Sequence, residues 1–170
     1  LVRMHSIKNL KDFTYRIFKK MGCAHEDATT MADILVAAEE RGISSHGMIR
    51  IKDYYQMWEK GRINIHPNVR VTRETPGTAV VDGDGAFGMV AASRSMEIAM
   101  EKAGQVGTGW VSTHNSSHFG IAGYYSMMAL EKDMIGVAMT NANALVAPTH
   151  SKSRMLGTNP IAVAIPAGQH

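Results

Sequence analysis

Before residue 65, apolar residues recur at three- and four-residue steps, which is the spacing of amphipathic helices. The first predicted helix begins after Ser6, which can cap it, and ends at Gly22. The second covers about 26–41, and the third follows the segment 44–46 and ends at Gly61. The apolar side chains that this spacing places together are Leu10, Phe13, Ile17, Phe18 and Met21 in the first helix and Met48, Ile51, Tyr55 and Trp58 in the third.

Strands and helices are mixed after residue 65. Alternating or β-branched segments predict strands at 69–73, 78–81, 106–113, 135–140 and 161–165. Helices are predicted at 87–102 and 121–132, and a polar loop covers 141–159. The chain is therefore predicted to have an α/β (α+β) fold, in which an N-terminal helical region, 1–65, precedes a sheet with flanking helices, 66–170.

The last predicted strand carries an expectation about length. Segment 161–165 is apolar throughout and has the pattern of a buried strand, yet only the residues from Pro166 to His170 follow it. No element closes the sheet. We therefore expect the chain to be a fragment or the first part of a larger protein.

Composition excludes several classes of protein. The chain has 170 residues, of which 45% are hydrophobic and 19% charged, so it is predicted to be a globular protein rather than a disordered one. Its apolar runs are far shorter than the ~18 residues needed to span a bilayer, so no membrane partner is expected. The single cysteine, Cys23, cannot form an internal disulfide, and no secretory signal is evident, so a cytoplasmic location is predicted.

Charge says more about partners than about fold. The net charge is +3 and the pI about 9.1, but the basic residues are scattered and aromatic residues are only 6%, which argues against nucleic acid. Most of the excess lies before residue 75, where 13 Lys and Arg stand against 9 Asp and Glu. A mildly basic first half favours an anionic small substrate.

One segment, Gly83-Asp84-Gly85-Ala86-Phe87-Gly88, has the form G-x-G-x-x-G between a predicted strand and a predicted helix. In Rossmann folds such glycines let the backbone approach a pyrophosphate. That fingerprint also needs an acidic residue about 20 positions later, after the next strand. Here the strand ends in Thr113-His114-Asn115, and Asp84 would itself repel a pyrophosphate. We therefore interpret the segment as a glycine-rich turn.

A histidine and an arginine four residues apart, His46 and Arg50, are predicted to share one helical face. Histidine exchanges protons near neutral pH, and the arginine fork matches a carboxylate. The preceding Ser45 can bond the imidazole or cap the helix. A capped helix with an ordinary exposed histidine is the alternative interpretation.

The segment His114-Asn115-Ser116-Ser117-His118-Phe119-Gly120 lies between a predicted strand and a predicted helix, where ligand sites commonly lie. Two histidines four apart suit zinc only on a helix, and no third ligand is evident, so no metal is expected. Residues 117–120, if they open a helix, can offer backbone N–H groups to a phosphate.

Four segments together resemble one family: Arg41-Gly42-Ile43-Ser44-Ser45-His46-Gly47, Asn115-Ser116-Ser117-His118-Phe119-Gly120, Thr140-Asn141-Ala142-Asn143 and Gly157-Thr158-Asn159-Pro160. Their order and spacing are similar to those of the malate/L-lactate dehydrogenase family, a non-Rossmann group that includes ureidoglycolate and sulfolactate dehydrogenases. The resemblance implies a cofactor domain with a mixed, largely antiparallel sheet, a nicotinamide cofactor (NAD, with NADP possible) and a homodimer. It also implies a chain about twice this length, whose second half supplies further cofactor contacts.

The resemblance carries site roles residue by residue. It implies that Ser45 and His46 form the family's serine–histidine pair and that Arg50 binds the substrate carboxylate. His118 matches a residue assigned as the acid or base in some members and as the start of a cofactor-contacting stretch in others. The matched cofactor contacts are His118, Phe119, Gly120, Ile121 and Ala122, followed by Thr140, Asn141 and Ala142, and Thr158 matches a substrate contact.

The function that follows is hydride transfer between NAD(P) and a small 2-hydroxy or 2-oxo acid, with malate or L-lactate favoured. The alternative substrates are ureidoglycolate, sulfolactate, diketogulonate or a cyclic imine. A non-catalytic fragment that acts as a binding module is the alternative of another class, and a zinc hydrolase is a more distant one. The sequence leaves open whether His46 or His118 exchanges the proton.

Overall fold

The structure, a computed structural model, describes residues 5–168. The chain divides into two compact units, Leu1–Ile121 and Ala122–His170. The terminal residues of the two predicted regions, 1–4 and 169–170, lie outside the described residues. The unit boundary falls after residue 121 rather than at the change in pattern near residue 65. The assignment of 1–65 to the substrate side and of 66–170 to the cofactor side stays a prediction.

Two packed helices begin the first unit. Helix α1 (Ile7–Met21) is capped by Ser6, whose Oγ accepts the Asn9 N–H at 3.2 Å, and it ends at Gly22 in the left-handed conformation. Helix α2 (His25–Glu40) packs against it. The predicted inward position of Phe13 is wrong, because its side chain is 57% exposed. The buried face of α1 instead carries Thr14, Phe18 and Met21.

The predicted third helix is shorter and begins later than expected. Residues Ser44–His46 and Met48–Arg50 form two short 3-10 helices, and helix α3 covers Ile51–Glu59. Gly47, between them, has φ −93° and ψ −143°, which is not a helical conformation. The prediction that residues 46 and 50 share one continuous helix is therefore wrong. The buried residue of α3 is Tyr54, 1% exposed, rather than the expected Tyr55, which is 42% exposed.

A three-stranded sheet follows, in the order β1-β2-β3. Strand β1 (Arg70–Glu74) pairs antiparallel with β2 (Thr78–Ala86), which pairs parallel with β3 (Trp110–Ser116). Helix α4 (Gly88–Val106) makes the crossover between β2 and β3 and packs on both of them. Residue 106 was predicted to begin a strand, but it ends helix α4, because the left-handed Gly107 terminates that helix.

The glycine-rich segment 83–88 was predicted to be a turn, and the structure shows that it is not a simple turn. Residues 83–86 end strand β2, with a register shift between Asp82 and Ala86, and Gly88 begins α4. A Cβ on Gly83 would lie 2.8 Å from the Asn115 carbonyl oxygen, and one on Gly88 would overlap the backbone at Ser117. These glycines therefore allow the strand end and the helix start to approach segment 115–118 closely.

The second unit is built on a small antiparallel pair. Strand β4 (Gly136–Met139) pairs with β5 (Ile161–Ala164), and helix α5 (Ala122–Met128) packs against both. A 3-10 turn, Ala129–Lys132, ends the predicted helix 121–132. The buried character expected of the last strand is wrong within the described residues: Ile161, Val163 and Ile165 are 69%, 56% and 63% exposed.

The architecture confirms the predicted class, a mixed α/β fold with an N-terminal helical segment. Among the described residues, two of the three strand pairings are antiparallel, and the strands form two sheets instead of the single one expected. No helix in residues 5–168 is long and apolar enough to cross a membrane.

Candidate functional site

The segment Ser44–Arg50 is held by one carboxylate from helix α2. Glu39 accepts the Ser44 hydroxyl at Oε2, at 2.7 Å, and the Met48 N–H at Oε1, at 2.8 Å. One side chain thus binds both short 3-10 helices and closes the loop between them. The result is a fixed backbone at His46, in place of the continuous helix that the sequence suggested.

Within this loop, His46 and Arg50 are tied to the same serine. The Ser45 Oγ shares a hydrogen bond of 2.9 Å with His46 Nδ1, and the Ser45 carbonyl accepts Arg50 Nε–H at 2.7 Å. Arg50 Nη1 also pairs with Asp53 Oδ2 at 3.0 Å. The imidazole and the guanidinium are therefore positioned together, although not by helical spacing.

A second imidazole lies against the first. The rings of His46 and His118 are stacked, with their centroids 5.7 Å apart and their planes at 28°. His118 Nδ1 lies 2.8 Å from the Tyr54 hydroxyl and 3.3 Å from the Gly120 amide nitrogen, whose N–H it accepts. The structure thus brings together, in the first unit, all the catalytic candidates and the predicted carboxylate-binding arginine.

The surroundings of both imidazoles oppose their protonation. Burial, and then the positive charge of Arg50, lower the pKa of His46 below its usual value. Burial lowers the pKa of His118 as well, and the neighbouring His46 and Arg50 lower it further. Each ring is therefore poised as a neutral base or hydrogen-bonding group near neutral pH.

The backbone before His118 is held by a polar network at the end of the sheet. Asp82 Oδ1 accepts the Asn115 amide at 2.9 Å and the Asp84 N–H at 2.9 Å, and Oδ2 pairs with Arg70 at 2.6 Å. These hydrogen bonds, the Asp84 N–H first, lower the pKa of Asp82 and favour its charged form. Asn115 itself takes the left-handed conformation, with φ 53°. The turn that leads to His118 is therefore fixed from the strand β2 side.

Residues 117–120, which were predicted to open a helix, are not helical. Helix α5 begins only at Ala122, and the Gly120 N–H already donates to His118 Nδ1. The expectation that residues 117–120 offer helix-terminal N–H groups to a phosphate is therefore wrong. Ile121 and Ala122 are buried, at 6% and 9% exposure, and fall on the two sides of the unit boundary.

The remaining predicted residues meet in the second unit. The Ala142 N–H donates to Asn159 Oδ1 at 2.9 Å, and the Thr140 N–H donates to the Pro160 carbonyl at 3.3 Å. A Cβ on Gly157 would overlap the Ala142 carbonyl, so the two loops can meet only with glycine there. This places the loop of Thr140, Asn141 and Ala142 beside the loop that carries Thr158.

Four residues that shape these clusters escaped sequence reasoning: Glu39, Asp53, Tyr54 and Asn159. Asp53 lies three residues after Arg50, and that spacing was a usable signal. Asn159 follows a predicted contact residue directly. Glu39 acts across a turn, on residues five and nine positions later, with no regular helical spacing to indicate it. The role of Tyr54 depends on a contact with His118, 64 residues away, which no local pattern reveals.

The donor set also bears on metals. Among residues 5–168 no three His, Cys, Asp or Glu side chains are grouped so that they can hold a metal ion. His114 lies in strand β3, whereas His118 follows it in a loop, so the two do not share the helix that the zinc alternative required.

Comparison with known proteins shows which family the chain matches and how much of its relatives' length it covers. A family profile described as malate/L-lactate dehydrogenase matches residues 5–170. A malate dehydrogenase from Pyrococcus abyssi is 49% identical over 157 residues, which are 92% of this chain and 43% of that protein. An L-sulfolactate dehydrogenase from Methanocaldococcus jannaschii is 43% identical over 163 residues, which are 96% of this chain and 47% of that protein.

Solved structures agree in fold. A malate dehydrogenase from Pyrococcus horikoshii superimposes with a TM-score of 0.96 at 47% identity, over 99% of this chain and 48% of that one. A sulfolactate dehydrogenase from Methanocaldococcus jannaschii gives 0.94 at 42% identity, over 97% and 48%. The chain therefore spans about half the length of the relatives it matches.

Proposed function

Because this chain belongs to the malate/L-lactate dehydrogenase family, we propose that it transfers a hydride between a nicotinamide cofactor and a small 2-hydroxy or 2-oxo acid. Malate or L-lactate is the substrate we propose first, since the relatives compared above include malate dehydrogenases at 49% and 47% identity. Sulfolactate is the second candidate, supported by relatives of that name at 43% and 42% identity.

One observation carries the proposal: two stacked imidazoles and a guanidinium lie in one cluster of the first unit. A 2-oxo acid needs a cation for its carboxylate and a proton source for its carbonyl oxygen. Arg50 supplies the first and an imidazole the second. Neither requirement is met by an isolated exposed histidine, which was the plain alternative for this segment.

The proposed roles follow the contacts. Arg50 binds the substrate carboxylate, with its guanidinium oriented by the Ser45 carbonyl and by Asp53. In the oxidation direction, His46 removes the proton of the substrate hydroxyl while a hydride leaves the carbon that bears this hydroxyl. In reduction it returns that proton to the carbonyl oxygen. Such general acid–base help contributes roughly 10²–10⁴ in rate.

The residues proposed to hold the cofactor are chemically suited to it. In the loop of Thr140, Asn141 and Ala142, the first two offer neutral hydroxyl and amide groups, and Asn141 is exposed, so they can bond ribose hydroxyls or a carboxamide. Thr158, which is also exposed, is proposed as a substrate contact. His118, Phe119, Gly120, Ile121 and Ala122 complete the proposed set. The nicotinamide accepts or supplies the hydride when bound. We propose NAD as the cofactor, with NADP as the alternative.

We further propose that the protein works as a cytoplasmic homodimer on small molecules alone. The exposed side chains of Ile161 and Val163 in β5, and of Ile165 directly after it, support burial against further polypeptide, because contiguous apolar surface usually marks a contact. Gel filtration with light scattering tests the dimer directly, and a monomeric mass at working concentration would overturn this part of the proposal.

The deciding experiment is a nicotinamide absorbance assay on the protein at its natural length. It uses malate, L-lactate and sulfolactate, each with NAD and with NADP. The proposal expects turnover with at least one of these acids and a raised KM for that acid in Arg50→Ala, with Arg41→Ala as the matched exposed control. Nucleotide binding without turnover of any acid would favour the non-catalytic module. Absence of both would refute the proposal.

A further inference from the structure

Two polar groups contact one nitrogen of His118. The Gly120 backbone N–H lies 3.3 Å from Nδ1 and can only donate to it. The Tyr54 hydroxyl lies 2.8 Å from the same atom. Burial raises the pKa of the Tyr54 phenol far above its usual value, so this hydroxyl keeps its proton. Because the Gly120 N–H needs a lone pair on Nδ1 to accept it, Nδ1 carries no hydrogen in the neutral ring, and the Tyr54 hydroxyl is then the donor in its own contact with Nδ1.

Tyr54 is held rigidly enough to impose this arrangement. Its side chain is 1% exposed, and its ring meets Phe87 edge-on, with centroids 5.9 Å apart and planes at 85°. Phe87 in turn packs edge-on against Phe18 of helix α1, at 5.6 Å. The hydroxyl of Tyr54 is thus the polar end of an aromatic cluster in the core and has little freedom to turn away from His118.

A neutral imidazole carries its single proton on one of its two nitrogens. With Nδ1 accepting, the proton of His118 is on Nε2, which is then a hydrogen-bond donor and cannot accept a proton. Full protonation would place a hydrogen on Nδ1 facing the Gly120 N–H, and that hydrogen bond would be lost. His118 is therefore suited to donate a hydrogen bond and unsuited to act as a base.

The partner of His46 imposes no such restriction. The Nδ1 atom of His46 faces the Ser45 hydroxyl, which can accept a hydrogen bond as well as donate one. When Nδ1–H donates to Ser45, the neutral ring has a free lone pair on Nε2. The imidazolium keeps the same Nδ1–H bond, so His46 gains and loses a proton at Nε2 without rearranging its contacts.

From this geometry, and resting on the proposed function, we infer that Tyr54 is a positioning residue that fixes His118 as the Nε2–H tautomer. His118 then donates a hydrogen bond to the reacting oxygen of the substrate, and His46 alone exchanges the proton. Of the two stacked histidines, His118 is thus a fixed hydrogen-bond donor and His46 is the proton carrier.

Nitrogen-15 NMR of the imidazoles tests the inference without any activity. In the protein at its natural length near neutral pH, we expect a pyridine-type Nδ1 and a pyrrole-type Nε2 for His118, assigned by the signals that His118→Gln removes. Removing a donor to the neutral ring should raise its pKa in Tyr54→Phe. Tyr55→Phe removes the same atom from the exposed neighbouring tyrosine and should leave the pKa of His118 unchanged.

Kinetics supply a second readout. We expect Tyr54→Phe to lower kcat about tenfold through mispositioning of His118, with little change in the KM for the nucleotide. A pyrrole-type Nδ1 in the wild-type protein would overturn the inference, as would an unchanged His118 pKa in Tyr54→Phe. If the wild-type protein shows the expected tautomer but turns over no hydroxy acid, the positioning survives and the proposed function fails.

Discussion

The carboxylate of Glu39 occupies the space that a Cβ on residue 47 would need, so Gly47 is the residue that allows Glu39 to close the loop around His46. The same carboxylate accepts the Ser44 hydroxyl and the Met48 N–H on the two sides of this glycine. The loop that carries the proposed proton carrier is thus shaped by a pair of residues that take no part in the chemistry.

This pair predicts a non-additive double mutant. Gly47→Ala should destabilise the protein by about 1–3 kcal/mol because its methyl group displaces the Glu39 carboxylate. Glu39→Ala should cost about 1 kcal/mol through lost hydrogen bonds. In Glu39→Ala the space is free, so adding Gly47→Ala should cost less than it does alone. Denaturant unfolding of the four proteins measures this coupling, and strictly additive costs would contradict the contact.

The lowered pKa values of His46 and His118 predict how stability depends on pH. An imidazole with a lowered folded-state pKa binds fewer protons in the folded chain than in the unfolded one. The free energy of unfolding should therefore fall as the pH drops below about 6.5 and gain nothing from these rings above it.

The matching measurement is urea unfolding at about pH 7.5 and about pH 5.5, on the two sides of the ordinary histidine pKa. His46→Gln and His118→Gln, which cannot be protonated, should each lose less stability between the two pH values than the wild type. Replacement of the exposed His5 by Gln provides the control. A larger acid loss in either variant would reverse the sign of the argument.

Arg50 should act mainly through substrate affinity. Arg50→Ala should raise the KM for a 2-oxo acid at least roughly tenfold, because a charge-assisted pair with the carboxylate is lost. Arg50→Lys should recover only part of the affinity, since lysine lacks the planar fork and the Nε–H that bonds the Ser45 carbonyl. Steady-state kinetics with each variant measure this. Equal KM values for the wild type and Arg50→Ala would contradict the proposal that Arg50 binds the carboxylate.

The contact between Asn159 and Ala142 should govern nucleotide binding. Asn159→Ala removes the acceptor of the Ala142 N–H and should weaken binding of the reduced nicotinamide nucleotide by about 5-fold, the typical effect of ~1 kcal/mol. Asn143→Ala, an exposed asparagine in the same loop, should have little effect. Fluorescence titration of the nucleotide measures both, and indistinguishable affinities would exclude a cofactor role for this loop.

The sequence by itself determined the kinds and order of most elements, because these depend on local periodicity and capping. Ser6 and Gly22 bound α1 as predicted, since a side-chain cap and a left-handed glycine act over one helical turn. The quoted motifs likewise determined the family, which the profile over residues 5–170 confirms. Gly83 and Gly88 were predicted to belong to a turn, but they lie in a strand and at a helix start. Local sequence could not indicate this, because both glycines are needed for the close approach of segment 115–118, which is distant in sequence.

Only the tertiary structure decided how the candidate residues of the first unit are arranged. His46 and His118 are stacked because Glu39 holds one loop, nine residues before Met48, and the Asp82 network holds the other, 33 residues before Asn115. The same holds for Tyr54, which is buried against His118 in place of the predicted Tyr55. Which nitrogen of an imidazole carries the proton depends on such partners, and periodicity along the chain does not specify them.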